Sequence, residues 1–97
     1  MRVTLDEAGR VATVEQAVEA CAFGQAAAAL VAIGAIGMTG DEAAAALTGV
    51  ERWLDDDIAE PWPGLAVLDP ARARRGRHGA ILLPFRALIA AIGETAR

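Results

Sequence analysis

The feature that most constrains the fold is a run of apolar and mostly small residues from position 22 to position 38. Leu30 and Ile33 fall on one stripe of a helix, and the many alanines allow close approach of other elements. Gly34 weakens the last turns and favours a stop. We therefore predict a central helix over residues 23–36. A membrane span needs roughly 20 strongly apolar residues, so a buried helix is favoured over a span.

Two alternating segments precede this run, at residues 2–6 and 10–18, and a turn that ends in Gly9 joins them. Such alternation is typical of half-buried strands and places Val11 and Val14 on opposite faces of the second strand. We predict an antiparallel hairpin. Because a lone two-stranded hairpin is marginal in water, it must pack on a helix or pair with another strand. The first strand is expected to have an open edge.

Helix signals continue after the central run. Thr39 and Glu42 have the spacing of a capping box, in which a hydroxyl and a carboxylate satisfy the first N–H groups of a helix reciprocally. This predicts a helix that runs to about Thr48, where Gly49 interrupts it, and a further short helix over residues 50–57.

The clearest loop signal is the sequence Pro-Trp-Pro-Gly at residues 61–64, and a helical turn at residues 65–68 is expected to pin this loop to the core. Residues 79–92 carry large apolar side chains at helical spacing and predict the last helix. Because proline inside a helix removes a hydrogen bond, Pro84 requires that this helix begins near Leu82 or is kinked in its first turn.

The order of these elements, a hairpin first and then helices, predicts the fold class. A chain of 97 residues has room for one domain with a single modest core. We predict one α+β domain over residues 1–97, in which a small antiparallel β-sheet packs against several α-helices.

Composition excludes several kinds of function. The sequence has no Ser, Lys, Asn or Tyr, so a serine triad, a P-loop lysine and a Schiff-base lysine cannot be built from it. A net charge of −4 argues against a general nucleic-acid binder. One cysteine cannot close an internal disulfide and no signal peptide is visible, which favours the cytoplasm. No acid–base pair or nucleophile–base pair is evident, so we do not expect an enzyme.

Two residues are candidates for chemistry. Cys21 lies where the second strand ends and the central helix begins, a position at which the helix dipole favours a thiolate that can accept sulfur or ligate a soft metal. Free cysteines also often serve only as small core residues, and position alone leaves both interpretations open. His78 lies just before the last helix and is either a surface residue or, if the fold brings it near Cys21, a second ligand.

Two charged segments also have alternative interpretations. The acidic run formed by Asp55, Asp56, Asp57 and Glu60 is either a solvated helix end or a metal site. Residues 72–78 contain four arginines and His78, and we refer to them as the basic segment. It either balances charge near a helix start or forms a docking surface for an acidic partner or an anionic ligand.

Several residues stand at characteristic distances from one another in the sequence. A cysteine at the end of a strand is followed nine positions later by a leucine, then by a glycine at the helix end and by a threonine before an acidic helix start: Cys21, Leu30, Gly37, Thr39, Asp41, Glu42 and Ala43. This pattern resembles the central segment of the U-type iron–sulfur cluster assembly proteins, the family of IscU, SufU and the NifU N-terminal domain. A second set resembles the SufU-like branch: Leu65, Leu68, Arg72, Arg77, Leu83, Pro84 and Phe85.

The resemblance implies a NifU N-terminal-like domain that serves as a scaffold or sulfur acceptor in iron–sulfur cluster assembly. Cys21 would accept sulfur or bind iron or a nascent Fe–S cluster, and His78 would be an auxiliary ligand. The implied partners are a cysteine desulfurase and cluster-accepting proteins, with neither nucleic acid nor membrane involved. Asp69 and the basic segment would flank the site or dock the partner.

The sequence also departs from the family. The family holds its metal with three cysteines and a nearby Asp or His, and the loop with the first cysteine and the strand before it are lacking here. The position of the family's third cysteine corresponds to Ala80 here, two positions from His78. Of the family's metal ligands, only Cys21 is therefore present in this sequence. Since a tetrahedral site needs four ligands, a homodimer would supply Cys21 and His78 twice. The alternatives are a degenerate member that binds proteins without metal and a zinc-dependent sulfur-transfer protein.

Overall fold

The computed structural model describes residues 1–56 and 59–96. Its elements are, in chain order, strands β1 and β2, helices α1 and α2, two 3₁₀ helices and helix α3: Arg2–Leu5, Val11–Glu15, Ala22–Gly34, Gly40–Leu54, Leu65–Ala71, Arg75–Arg77 and His78–Thr95. The predicted α+β class is confirmed, since a two-stranded antiparallel sheet packs with these helices. Within the described ranges, no helix is long and apolar enough to cross a membrane.

The hairpin turn is built by Asp6. Its N–H donates to the Arg10 carbonyl at 2.8 Å, and its carboxylate Oδ1 accepts from the N–H groups of Ala8 and Arg10. Gly9 adopts the left-handed conformation that closes the turn, with φ of 76°. These bonds confirm the predicted turn between the two strands.

A β-bulge corrects the predicted faces of β2. Val3 pairs with Val14 and Leu5 pairs with Val11, so Ala12 has no partner in β1. The extra residue turns Val11 back towards the core, where both it and Val14 pack. The prediction that Val11 and Val14 lie on opposite faces is therefore wrong. β2 is also shorter than predicted, because Arg2 at the start of β1 already pairs with Glu15.

Helix α1 buries its small residues rather than the predicted stripe. Ala27, Ala28 and Val31 are buried, Leu30 is half-buried, and Ile33 is 78% exposed. The prediction for Ile33 is wrong because α1 presents its alanine face to α3, with which it packs. The predicted helix itself is confirmed, with bounds that differ by one or two residues.

The turn after α1 ties this helix to the hairpin. Gly37, with φ of 87°, donates its N–H to the Val11 carbonyl at 2.8 Å, and the Val11 N–H donates to the Met38 carbonyl at 2.8 Å. The chain then enters α2 through the predicted capping box. The Glu42 N–H donates to Thr39 Oγ1 at 3.2 Å, and the Thr39 N–H donates to Glu42 Oε1 at 3.3 Å.

Helix α2 is continuous to Leu54, so the predicted break at Gly49 is wrong. The glycine is explained by a close approach: a Cβ at this position would lie 2.5 Å from Cβ of Pro61. Part of the separate helix predicted over residues 50–57 belongs to α2, and its residue Asp57 lies outside the described residues.

The predicted loop over residues 61–64 is anchored by its tryptophan. Trp62 is 1% exposed, donates from Nε1 to the Leu30 carbonyl at 2.8 Å, and meets Phe85 edge to face with ring centroids 5.0 Å apart. The following 3₁₀ helix buries Leu65 and Leu68 and thereby pins the loop, as predicted.

Helix α3 begins at His78, so Pro84 lies in its second turn. The predicted alternative of a start near Leu82 is wrong. Pro84 is buried, and because proline has no N–H it cannot donate to the carbonyl of Ala80 one turn earlier. This turn of α3 lies beside the start of α1, where the candidate site is found.

Candidate functional site

Cys21 caps the N-terminus of α1. Residues 16–20 carry the chain from the end of β2 to the helix, and Cys21 itself has extended backbone angles, with φ of −65° and ψ of 169°. Its thiol is free and partly exposed. A cysteine at this position is available to a partner and lies at the positive end of the helix dipole.

The surroundings of Cys21 favour its thiolate. The pKa of the thiol is lowered, first by the backbone N–H of Gly24 and then by that of Phe23 and the positive charge of Arg77, while partial burial acts in the opposite direction. Sγ forms no capping hydrogen bond of ordinary geometry, so these N–H groups act mainly as dipoles aimed at the sulfur. A thiolate is the nucleophilic and metal-binding form of cysteine.

A close crossing of α1 and α3 lies one turn beyond Cys21. A Cβ at Gly24 would lie 3.5 Å from the Ala80 carbonyl oxygen and 3.8 Å from Ala80 Cβ. The first turns of the two helices are therefore neighbours, and Arg77 at the cap of α3 acts on the thiol of Cys21.

An apolar groove of about 170 Å³ opens beside this crossing. Its wall comes from the segment before α1 and from the first turns of α1 and α3, and includes Val18, Ala20, Gly24, Ala80, Leu83 and Pro84. Leu83 is 65% exposed at its rim. The groove offers a partner an apolar surface that reaches Ala20, the residue before Cys21.

His78 is the first residue of α3 and is partly buried. Its Nε2 lies 2.9 Å from the Arg72 carbonyl oxygen. Since a carbonyl can only accept, Nε2 carries the proton and donates, which leaves the lone pair of the neutral ring on Nδ1. His78 thus already links the two ends of the basic segment, and only Nδ1 remains for a ligand.

Arg72 holds the basic segment to the end of α2. Its guanidinium pairs with Asp69 at 3.1 Å and with Asp56 at 3.8 Å, and it stacks over the Trp53 ring at 4.5 Å. Asp69 is therefore engaged within the segment. Arg75 pairs with Asp55 at 3.8 Å. Asp55, Asp56 and Asp69 thus pair with two of the four arginines of the basic segment, in line with the structural interpretation of the acidic run.

The donor set around Cys21 is small. Over residues 1–56 and 59–96, no group of three or more His, Cys, Asp or Glu side chains is arranged to hold a metal ion. A closed tetrahedral site needs four such donors. The described residues of one chain therefore do not complete a metal or cluster site.

The comparison with solved structures identifies the fold. The chain is similar to the N-terminal part of a nitrogen-fixing NifU-like protein from Brucella abortus, with a TM-score of 0.82 and 29% sequence identity. The match covers 97% of this chain and 67% of that chain. By fold, the chain is therefore similar to the U-type scaffold family. No protein-family model matches the chain, and no curated protein matches it.

The sequence alone does not predict that Arg77 belongs to the candidate site. The sequence places Arg77 in the basic segment and in the SufU-like set but does not connect it with Cys21, whose thiol pKa its positive charge lowers. A signal exists: Cys21 precedes Gly24 by three residues, and Arg77 precedes Ala80 by three. Gly24 and Ala80 mark the crossing, and the two candidate site residues, Cys21 and Arg77, precede it by about one turn each.

Proposed function

We propose that the chain acts in iron–sulfur cluster assembly as a scaffold or sulfur acceptor, in which Cys21 takes up sulfur or ligates iron. The observation that carries this proposal is the partly exposed thiol at the N-terminus of α1, with a lowered pKa, in a U-type fold. The similar NifU-like protein supports the assignment to this class.

Sulfur acceptance is the role that needs the fewest groups from this chain. The Cys21 thiolate attacks the outer sulfur of a persulfide on a cysteine desulfurase. A new S–S bond forms on Cys21 while the bond to the desulfurase sulfur breaks, and that sulfur leaves as a thiolate. The exchange needs no added oxidant or reductant. The α1 N–H groups and Arg77 stabilise the attacking thiolate.

Retention of iron or of a nascent cluster needs more donors than the described residues of one chain supply. Cys21 would be the soft ligand, and Nδ1 of His78 would be an auxiliary one. The remaining ligands would come from a partner or a second copy. Iron and sulfur would therefore be bound between two chains as the substrate of assembly, with ligands from both chains.

The basic segment is the proposed docking surface for the desulfurase. Arg74, Arg75 and Arg77 are exposed on a chain with a net charge of −4, so they form a local positive surface. An acidic surface on the partner would complement them. Docking here would bring the persulfide to the start of α1, where Arg77 acts on Cys21.

Sulfur transfer tests the proposal directly. The purified chain is incubated with a cysteine desulfurase and cysteine, and the intact mass is measured under non-reducing conditions. We expect a gain of one sulfur atom that maps to Cys21 and is removed by a reductant. Cys21→Ser should lose the gain, and Arg77→Ala should slow it. Absence of sulfur on wild-type Cys21 with an active desulfurase would contradict the acceptor role.

A second candidate is a protein-binding module without metal. It is favoured because the described residues include no group of three or more His, Cys, Asp or Glu side chains that could hold a metal ion. Anaerobic incubation with iron and sulfide separates the two. A visible charge-transfer band that Cys21→Ala abolishes supports the scaffold. Zinc bound in place of iron and lost in Cys21→Ala supports zinc-dependent sulfur transfer, whereas binding to the desulfurase with neither metal nor sulfur uptake supports the module. In each role the chain is a carrier or binding partner rather than an enzyme.

A further inference from the structure

The connection from β2 to α1 is held against α1 at both of its ends. It comprises residues 16–20, which form neither helix nor strand, and we refer to it as the connecting segment. At its start, Gln16 Nε2 donates to the Ala28 carbonyl at 2.8 Å. At its end, the Ala20 carbonyl accepts from Gln25 Nε2 at 3.0 Å. The two glutamines are the only side-chain amides of the sequence, and both hold the connecting segment to α1.

A close approach at Gly24 constrains the same end of the connecting segment. A Cβ on Gly24 would lie 2.9 Å from Cβ of Ala20, which is shorter than an ordinary contact between such atoms. A side chain on Gly24 would therefore force the connecting segment away from α1. The hydrogen bond from Gln25 and the absence of a side chain on Gly24 are thus two separate constraints on the position of Ala20.

Gln25 holds the peptide units on both sides of Cys21. Its backbone N–H donates to the Cys21 carbonyl at 2.9 Å, and its side chain binds the carbonyl of the peptide unit that joins Ala20 to Cys21. Because a peptide unit is planar, a fixed Ala20 carbonyl also fixes the direction of the Cys21 N–H. The pKa of the thiol is lowered first by the N–H of Gly24, and the Cys21 N–H is one of the further causes. Gln25 therefore acts on the thiol through one rigid peptide unit.

We propose that Gln25 is a positioning residue for Cys21, whose side-chain amide holds the preceding peptide unit so that the backbone N–H groups of the first turn of α1 stay directed at the sulfur. The inference rests on the proposed function, in which the Cys21 thiolate accepts sulfur, and adds a residue that this role needs. Loss of the amide frees the peptide unit to rotate, which turns the Cys21 N–H away from the sulfur and makes the thiolate less favourable.

Alkylation of Cys21 by iodoacetamide as a function of pH tests the proposal without a desulfurase. Gln25→Met removes the amide but keeps a similar helix propensity and every charge, so Arg77 acts in both proteins. We expect the midpoint of the alkylation rate to lie at a higher pH than in the wild type. The matched control is Thr48→Val, which removes another exposed bond to a helix carbonyl, from Thr48 Oγ1 to Ala44 in α2 at 3.4 Å. Its midpoint should equal that of the wild type.

The sulfur-transfer assay gives a second readout. At a pH below the alkylation midpoint, Gln25→Met should take up sulfur about two- to tenfold more slowly than the wild type, the range that loss of one hydrogen bond allows. A wild-type chain that takes up no sulfur would contradict the proposed function, and the alkylation midpoint would still decide the role of Gln25. An unchanged midpoint in Gln25→Met, or an equal rise in Thr48→Val, would overturn that role.

Discussion

Gly34→Ala tests whether the indole of Trp62 is seated on the last turn of α1. A Cβ at position 34 would overlap Nε1 of Trp62 and lie 2.6 Å from its Cε2, closer than such atoms approach in folded proteins. The indole cannot easily move aside, because it is 1% exposed, packs against Phe85, and donates a hydrogen bond to the Leu30 carbonyl. The substitution therefore forces a change in the core.

The expected magnitude is the sum of three effects. Replacement of glycine by alanine in a helix stabilises by about 0.5–1 kcal/mol. Overpacking costs about 1–3 kcal/mol, and a displaced Trp62 N–H that loses its buried acceptor costs about 1–3 kcal/mol. The free energy of unfolding should thus fall by about 3 kcal/mol, which lowers Tm by about 12–24 °C in a domain of this size.

Thermal unfolding followed by circular dichroism measures this loss, with the combined fluorescence of Trp62 and Trp53 as a readout of the core. The matched control is Gly93→Ala on α3, where an added Cβ meets no atom within 4 Å. There the helix propensity acts alone, so Tm should rise by a few degrees, consistent with about 0.5 kcal/mol. A Gly34→Ala variant as stable as the wild type would refute the close approach of Trp62 to α1.

Three further predictions concern the caps of α1 and α2. Thr39→Ala removes the oxygen that caps α2 and should lower the free energy of unfolding by about 1 kcal/mol in urea titrations. Hydrogen bonds from the Thr39 N–H and hydroxyl lower the pKa of Glu42, so its contribution to stability is complete above about pH 4.3 and is lost as pH falls through the folded-state pKa. Unfolding free energies measured over this acid range should fall less steeply in Glu42→Gln. The lowered pKa of Cys21 predicts iodoacetamide alkylation with a midpoint below that of a free cysteine; Arg77→Ala should raise this midpoint, whereas an unchanged midpoint would remove Arg77 from the site.

The parts of the fold that local chemistry decides could be predicted from the sequence. The turn at Asp6, the capping box of Thr39 and Glu42, and the loop at Trp62 each depend on a few neighbouring residues, and all three are found. The bulge at Ala12 could not be predicted, because regular alternation and a bulged strand fit the same apolar residues. Only the pairing with β1 distinguishes them.

The helix errors have a different cause, namely contacts between distant segments. Helix propensity predicts a break at Gly49, whereas in the structure the absence of a side chain there leaves room for Pro61. The size and apolar character of Ile33 predict that it is buried, whereas α1 buries its alanines and packs against α3. In both cases tertiary packing outweighs the average behaviour of the residue type.

The candidate site likewise has one part that local sequence predicts and another that depends on contacts between distant segments. The position of Cys21 at a helix start follows from the sequence, since a strand-like segment ends there and an apolar run begins. The effect of Arg77 on the thiol does not, because it depends on where α3 crosses α1. Likewise, no sequence pattern indicated that His78 donates to the Arg72 carbonyl.

The crossing of Gly24 and Ala80 also bears on how such a site changes over evolution. Ala80 lines the groove that begins at Ala20, the residue before Cys21, and the family resemblance predicts that the third cysteine would stand at this position. Cysteine is the next larger apolar side chain, so Ala80→Cys would add a sulfur at the groove while α1 and α3 keep their spacing, whereas a bulkier residue would force them apart. One substitution could therefore place a second thiol beside the groove without rebuilding the helix crossing, because the packing of small residues alone keeps the two helices at this distance.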